Sequence, residues 1–154
     1  MSDGLRAQIT QAMKDAMKSG DKPRLSTIRL MQSAIKDKDI ASRTDGRNDG
    51  VSDADLLELF SKMVKQRRES ADMYEKGGRA DLVASEKAEI AVLEEFMPKQ
   101  MSEAETKAAV AAVVAELGAA SVKDMGKVMA ALKTKYAGQM DFGKAGAVVK
   151  VALG

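Results

Sequence analysis

Leu5, Ile9, Ala12, Met13, Ala16 and Met17 recur at helical spacing and stop at Gly20, a C-terminal cap ahead of Asp21 and Pro23. Asp21 can cap a second helix, whose stripe of Leu25, Ile28, Met31 and Ile35 runs toward Ala41 before the polar, glycine-containing segment 44–50 breaks it. A third helix opens on Ser52-Asp53-Ala54-Asp55, carries Leu56, Leu57, Phe60, Met63, Val64, Ala71 and Tyr74 on one face, and ends at Gly77-Gly78. The fourth presents Leu82, Ile90, Leu93, Phe96 and Met97, and Pro98 stops it. The short Gly-Gly connection makes the last two an antiparallel hairpin.

Beyond Pro98 the pattern predicts three short helices. Ser102 and Glu105 form a capping box for an Ala/Val-rich helix ending near Gly118. Ser121 to Asp124 begins another with Met125, Val128, Met129 and Leu132, and Asp141 caps a last one with Ala145, Val148, Val149 and Leu153. No internal repeat and no sustained two-residue alternation is present. The expectation is all-α: an N-terminal four-helix domain over 1–97 followed by a small three-helix tail domain over 98–154.

Composition agrees, with 25 Ala against 12 Val and 5 Ile, no Trp and only 3% aromatic residues. Neither Cys nor His occurs, which removes disulfides, thiolate nucleophiles, imidazole bases and the usual zinc ligands together. The sequence therefore calls for no catalytic constellation, no metal and no cofactor. The longest apolar run, 108–115, has eight residues, well short of the roughly 18 to 20 of a membrane helix. Residues 1–4 lead into an amphipathic stretch without a signal-peptide core, so a cytoplasmic location is expected.

Two apparent motifs fail on their own chemistry. Gly138 to Ala145 matches a phosphate loop, except that Ala145 replaces the magnesium-binding hydroxyl, Asp141 would repel phosphate, and a helix rather than a strand precedes it. Asp45 to Gly50 resembles a calcium loop, but Arg47 takes the third ligand position and Leu56 the twelfth.

Arg67 is more informative, because it falls in the middle of the third helix's apolar face, where a guanidinium needs carboxylates. Glu86 and Glu89 lie inside the apolar face opposite, at matching heights of the hairpin, so a structural ion-pair cluster of Arg67, Glu86 and Glu89 is expected. Lys62, Lys65 and Arg68 form a basic stripe on the other face of the third helix, suited to phosphate or to solvent. Net charge is only +2, but it is uneven: residues 1–97 carry −1 and residues 98–154 carry +3. Among the tail's positive residues are Lys123, Lys127, Lys133, Lys135, Lys144 and Lys150. They have no interleaved aromatics and suit a nucleic-acid backbone better than stacked bases.

The strings Lys65-Gln66-Arg67-Arg68-Glu69-Ser70, Glu86-Lys87-Ala88-Glu89-Ile90, Leu93-Glu94-Glu95-Phe96-Met97-Pro98 and Lys123-Asp124-Met125-Gly126-Lys127-Val128-Met129 together resemble the YqeY family over nearly the whole chain. The last third, through Met125-Gly126-Lys127-Val128-Met129 and 138–153, is also similar to the tail domain of the B subunit of the bacterial tRNA-dependent amidotransferase. In that enzyme the tail belongs to the tRNA-gripping part, while ammonia release and transfer occur elsewhere. The resemblance therefore implies tRNA contact, and it explains the family's label of carbon-nitrogen ligase activity with glutamine as amido-N donor without implying catalysis here. Gln139-Met140 departs from the basic residue that many such tails place there.

The function expected is an auxiliary binder of tRNA or other structured RNA, working beside amidotransferase or translation proteins, with Lys127, Lys133, Lys144 and Lys150 of the tail, and Lys62, Lys65 and Arg68 of the third helix, as its nucleic-acid contacts. The rival is a protein-interaction adaptor. An autonomous amidotransferase lacks a nucleophile and an ATP site.

Overall fold

The computed structural model describes residues 4–46 and 48–154, so the expectation placed on Arg47 lies outside the described residues. Among them the chain is all-α, with seven helices and no strand: α1 (Leu5–Ser19), α2 (Lys22–Ser42), α3 (Asp53–Lys76), α4 (Ala80–Glu94), α5 (Glu103–Leu117), α6 (Met125–Lys135) and α7 (Phe142–Leu153). Residues up to Pro98 form one compact unit and those from Lys99 a second.

In the first unit, Gly20 ends α1 in the left-handed conformation, φ 72°, which costs a residue without a Cβ little. One residue later the Asp21 carboxylate accepts the Arg24 N–H and starts α2, so the two helices form a tight antiparallel pair. The segment after α2 returns through Val51 to the core, and Ser52 and Asp55 exchange hydrogen bonds in a capping box that starts α3. The Gly77-Gly78 turn folds α4 back along α3. Ile9, Ile28, Met31, Leu56, Phe60 and Leu93 are the fully enclosed centre.

α4 ends at Glu94, earlier than the sequence pattern implies. Phe96 and Met97 lie in the turn that follows, their N–H groups bonded to Leu93 and Glu94 carbonyls, yet both pack on the core. Pro98 disfavours a helical conformation at the residue before it, so the apolar pattern outlasts the helix.

The second unit packs α5, α6 and α7 around Val110, Val113, Val128, Leu132, Ala145 and Val149. Ser102 and Glu105 cap α5 reciprocally, and Gly118 closes it with φ 63°. A single 3-10 turn, Val122–Asp124, precedes α6, which begins at Met125 rather than within Ser121 to Asp124. The Asp124 carboxylate accepts the N–H groups of Ala120 and Ser121 and so shapes this turn instead of starting the α-helix.

Candidate functional site

Arg67 reaches Glu89 across the α3–α4 hairpin, with its Nε donating to Oε2 at 3.0 Å. Its Nη1 donates to the Met63 carbonyl at 3.2 Å. The two side chains are 16% and 26% exposed, which leaves the pair partly wet. Glu86, half-buried, makes no hydrogen bond or ion pair among the described contacts. Helical side chains lean toward their own N-terminus, so Arg67 leans to Met63, away from the Gly77-Gly78 turn. In an antiparallel hairpin that direction leads toward Glu89 and away from Glu86. The three-residue cluster expected from the sequence is thus a pair plus a carbonyl.

The basic stripe on α3 is largely spoken for. Arg68 bonds Glu94 at 3.2 Å, Lys62 stands 3.9 Å from Glu58, and only Lys65 is exposed without a partner. Screened surface pairs of this kind are worth little, but they reduce the charge offered to phosphate.

The tail lysines are placed differently. Lys123, Lys127, Lys133, Lys144 and Lys150 are all exposed, and none has a carboxylate within 4.0 Å. Lys135 is the exception: it donates to Glu116 at 2.5 Å, and this hydrogen bond holds its ammonium above the usual lysine range. On α6, Lys127 and Lys133 flank the outer face, opposite buried Val128 and Leu132. Tyr136 and Phe142 are packed against the core, so neither is a stacking platform.

The phosphate-loop look-alike is an ordinary helix cap. The Asp141 carboxylate accepts the Gly143 and Lys144 N–H groups at 2.9 and 3.3 Å, occupying the donors a phosphate would need. Gln139 and Met140 serve the fold: the Gln139 carbonyl accepts the Met101 N–H at 2.7 Å, and Met140 is 2% exposed. Around the calcium-loop look-alike, and elsewhere among the described residues, no group of three acidic side chains is placed to hold a metal.

Besides the surface pairs above, sequence reasoning missed the partners of Arg6 and Arg24. Arg6 forks onto both oxygens of Asp39 and also donates to the Val51 carbonyl at 3.0 Å, while Asp39 accepts the Val51 N–H at 2.9 Å. Arg24, in the first turn of α2, pairs with Glu95 just past α4. Neither arginine interrupts an apolar stripe as Arg67 does, so no pattern signals them.

No described helix is long and apolar enough to cross a membrane. Among relatives, a protein of Eremothecium gossypii named Altered inheritance of mitochondria protein 41, mitochondrial, is 37% identical over 91 residues, 59% of this chain and 48% of its own. The protein of the same name from Lachancea thermotolerans is 34% identical over 113 residues, 72% of this chain and 58% of its own. An uncharacterized protein of Schizosaccharomyces pombe is 30% identical over 98 residues, 64% of this chain and 76% of its own. The chain spans about half the length of the mitochondrial relatives it matches. Residues 6–153, all but the ends of the chain, match the family described as Yqey-like protein, and the chain belongs to the YqeY family.

Proposed function

We propose that this protein is an auxiliary binder of tRNA or other structured RNA, gripping phosphates with its C-terminal helical unit and doing no amide-transfer chemistry of its own. The observation that carries this reading is that Lys123, Lys127, Lys133, Lys144 and Lys150 are exposed without carboxylate partners on a unit with net charge +3. Unpaired ammonium groups release counterions on meeting phosphate, and the lack of exposed aromatics favours backbone contact over base stacking. The likeness of the tail to the amidotransferase B subunit suggests tRNA as the first RNA to try. The protein works in an aqueous compartment, cytoplasmic or, as the relatives' names would have it, mitochondrial.

Fluorescent tRNA titrated at several salt concentrations tests the reading. The Lys127→Gln, Lys133→Gln, Lys144→Gln, Lys150→Gln quadruple variant should bind more weakly. Its slope of log affinity against log salt should be flatter by about three to four units, at roughly 0.9 for each phosphate no longer neutralised. Identical affinities and slopes would refute it. The second reading, a protein-interaction adaptor, would then become the better one.

A further inference from the structure

Charge in the N-terminal unit is segregated. Residues 5–42, which make α1 and α2, carry eight basic against four acidic residues, whereas residues 53–94, from the start of α3 to the end of α4, carry seven against ten. The small net charge of the unit hides this division. On α3 and α4 most cations serve the fold: Lys62, Arg67, Arg68 and Arg79 each stand within 4.0 Å of a carboxylate. Arg6 and Arg24, half-buried on α1 and α2, do the same.

The outward cations of α2 have no such duty. Lys22, Arg29 and Lys36, with Arg43 just past the helix end, recur every seven residues. At 100° and 1.5 Å per residue they form one row within about 60° of arc, spaced by about 10.5 Å, on the side away from buried Ile28, Met31 and Ile35. All four are exposed, and none is within 4.0 Å of a carboxylate. Between them Ser26 and Ser33 present exposed hydroxyls without a partner among the described contacts. The acidic residues stay off the row: Asp21 caps the helix, Asp39 is held by Arg6, and Asp37 stands at least about 60° round the helix. Lys22 even lies in the first turn, where the helix dipole disfavours a cation.

A row of this length, about 32 Å from Lys22 to Arg43, exceeds any single small anion and matches a ligand that repeats its negative charge. Ile40 is the one large apolar side chain within the arc, too little to insert into a lipid surface. A nucleic-acid backbone supplies phosphates at close intervals for the cations, and phosphate oxygens also accept from serine hydroxyls. We infer that the outer face of α2 is a second surface for the phosphate backbone of folded RNA, separate from the lysines of the C-terminal unit. The nature of the ligand rests on the RNA reading above; the residues do not overlap with its lysines.

The test is fluorescent tRNA titrated at several salt concentrations with four forms of the full chain: wild type, the tail quadruple variant described above, a row variant (Lys22→Gln, Arg29→Gln, Lys36→Gln), and a control (Lys76→Gln, Arg79→Gln, Lys87→Gln) that removes as much charge near the α3–α4 turn. The row variant should bind at least tenfold more weakly than wild type at low salt, with a slope of log affinity against log salt flatter by about two to three units, at roughly 0.9 per phosphate. The charge-preserving Lys22→Arg, Arg29→Lys, Lys36→Arg form should keep both. A control that weakens binding as much as the row variant would reduce the effect to overall charge and overturn the proposal. So would a row variant equal to wild type beside a weakened tail variant, which leaves the tail reading standing; the reverse pattern sinks the tail reading and upholds the row. Phosphatidylserine vesicles that lose the row variant while tRNA does not would transfer the surface to membranes and overturn the proposal as well.

Discussion

Arg6 and Asp39, 33 residues apart, join the start of α1 to the end of α2 through two parallel hydrogen bonds of 2.9 and 2.8 Å. The same two side chains bind the backbone of Val51 from both sides, so the segment entering α3 is clasped as well. The hydrogen bond from Arg6 holds the Asp39 carboxyl below its ordinary value, and the Val51 N–H and the nearby charge of Arg43 act in the same direction.

A depressed carboxyl gives stability that is fully present above its unfolded value of about 4 and fades as pH falls through the lower folded value. Asp39→Asn should therefore cost about 1 to 2 kcal/mol at pH 7, as expected for a partly exposed forked pair with a backbone bond. Melting temperatures of variant and wild type should differ by a constant amount above pH 5 and converge below pH 4. A pH-independent difference would show that the charge of Asp39 is not what matters.

Gly50 lies against this clasp with φ 90°, and a Cβ there would stand 2.9 Å from Asp39 Oδ1 and 3.0 Å from Arg6 Nη2. Gly46, φ 82°, has open space where its Cβ would go. Both glycines relieve a left-handed backbone, worth roughly 1 to 2 kcal/mol over alanine. Gly50→Ala should cost more than Gly46→Ala by at least about 1 kcal/mol, because it also disturbs the ion pair, and urea melts of the two variants give the comparison.

At the α3–α4 hairpin, Arg67→Ala should destabilise by about 1 to 3 kcal/mol. That is less than the 3 to 5 kcal/mol typical of breaking a fully buried pair, because water still reaches both side chains. Glu86→Gln should change stability by less than about 0.5 kcal/mol, since no partner is lost. Equal effects of the two substitutions in thermal melts would contradict the pairing of Arg67 with Glu89 alone.

Asp141→Ala removes the cap of α7 and should cost about 1 kcal/mol. It frees the Gly143 and Lys144 N–H groups, yet Ala145 still offers no hydroxyl for a metal, so nucleotide binding should not appear in a fluorescent-ATP titration.

Helix identity was legible wherever an apolar stripe met a capping residue, as at Asp21, Ser52, Ser102 and Asp141, because both signals are local. The end of α4 was not, because Phe96 and Met97 still pack, partly buried, on the core after the backbone has left the helix. Arg67 stood out by interrupting an apolar face, but choosing between Glu86 and Glu89 requires the lean of the side chains, which spacing does not contain. Arg6, Asp39 and Arg24 occupy ordinary polar positions. Only the assembled fold shows that chain segments tens of residues apart meet there.

The tight turns at Gly20 and Gly77-Gly78 also bear on how quickly the chain finds its shape. Each helical hairpin closes over only a few residues, so little chain entropy is lost before native packing forms, and such local topologies fold in about microseconds to milliseconds. The clasp of Arg6 on Asp39 and Val51 is different, since it waits until α1, α2 and the start of α3 are all in place. Loosening it should leave the folding rate almost unchanged and accelerate unfolding instead.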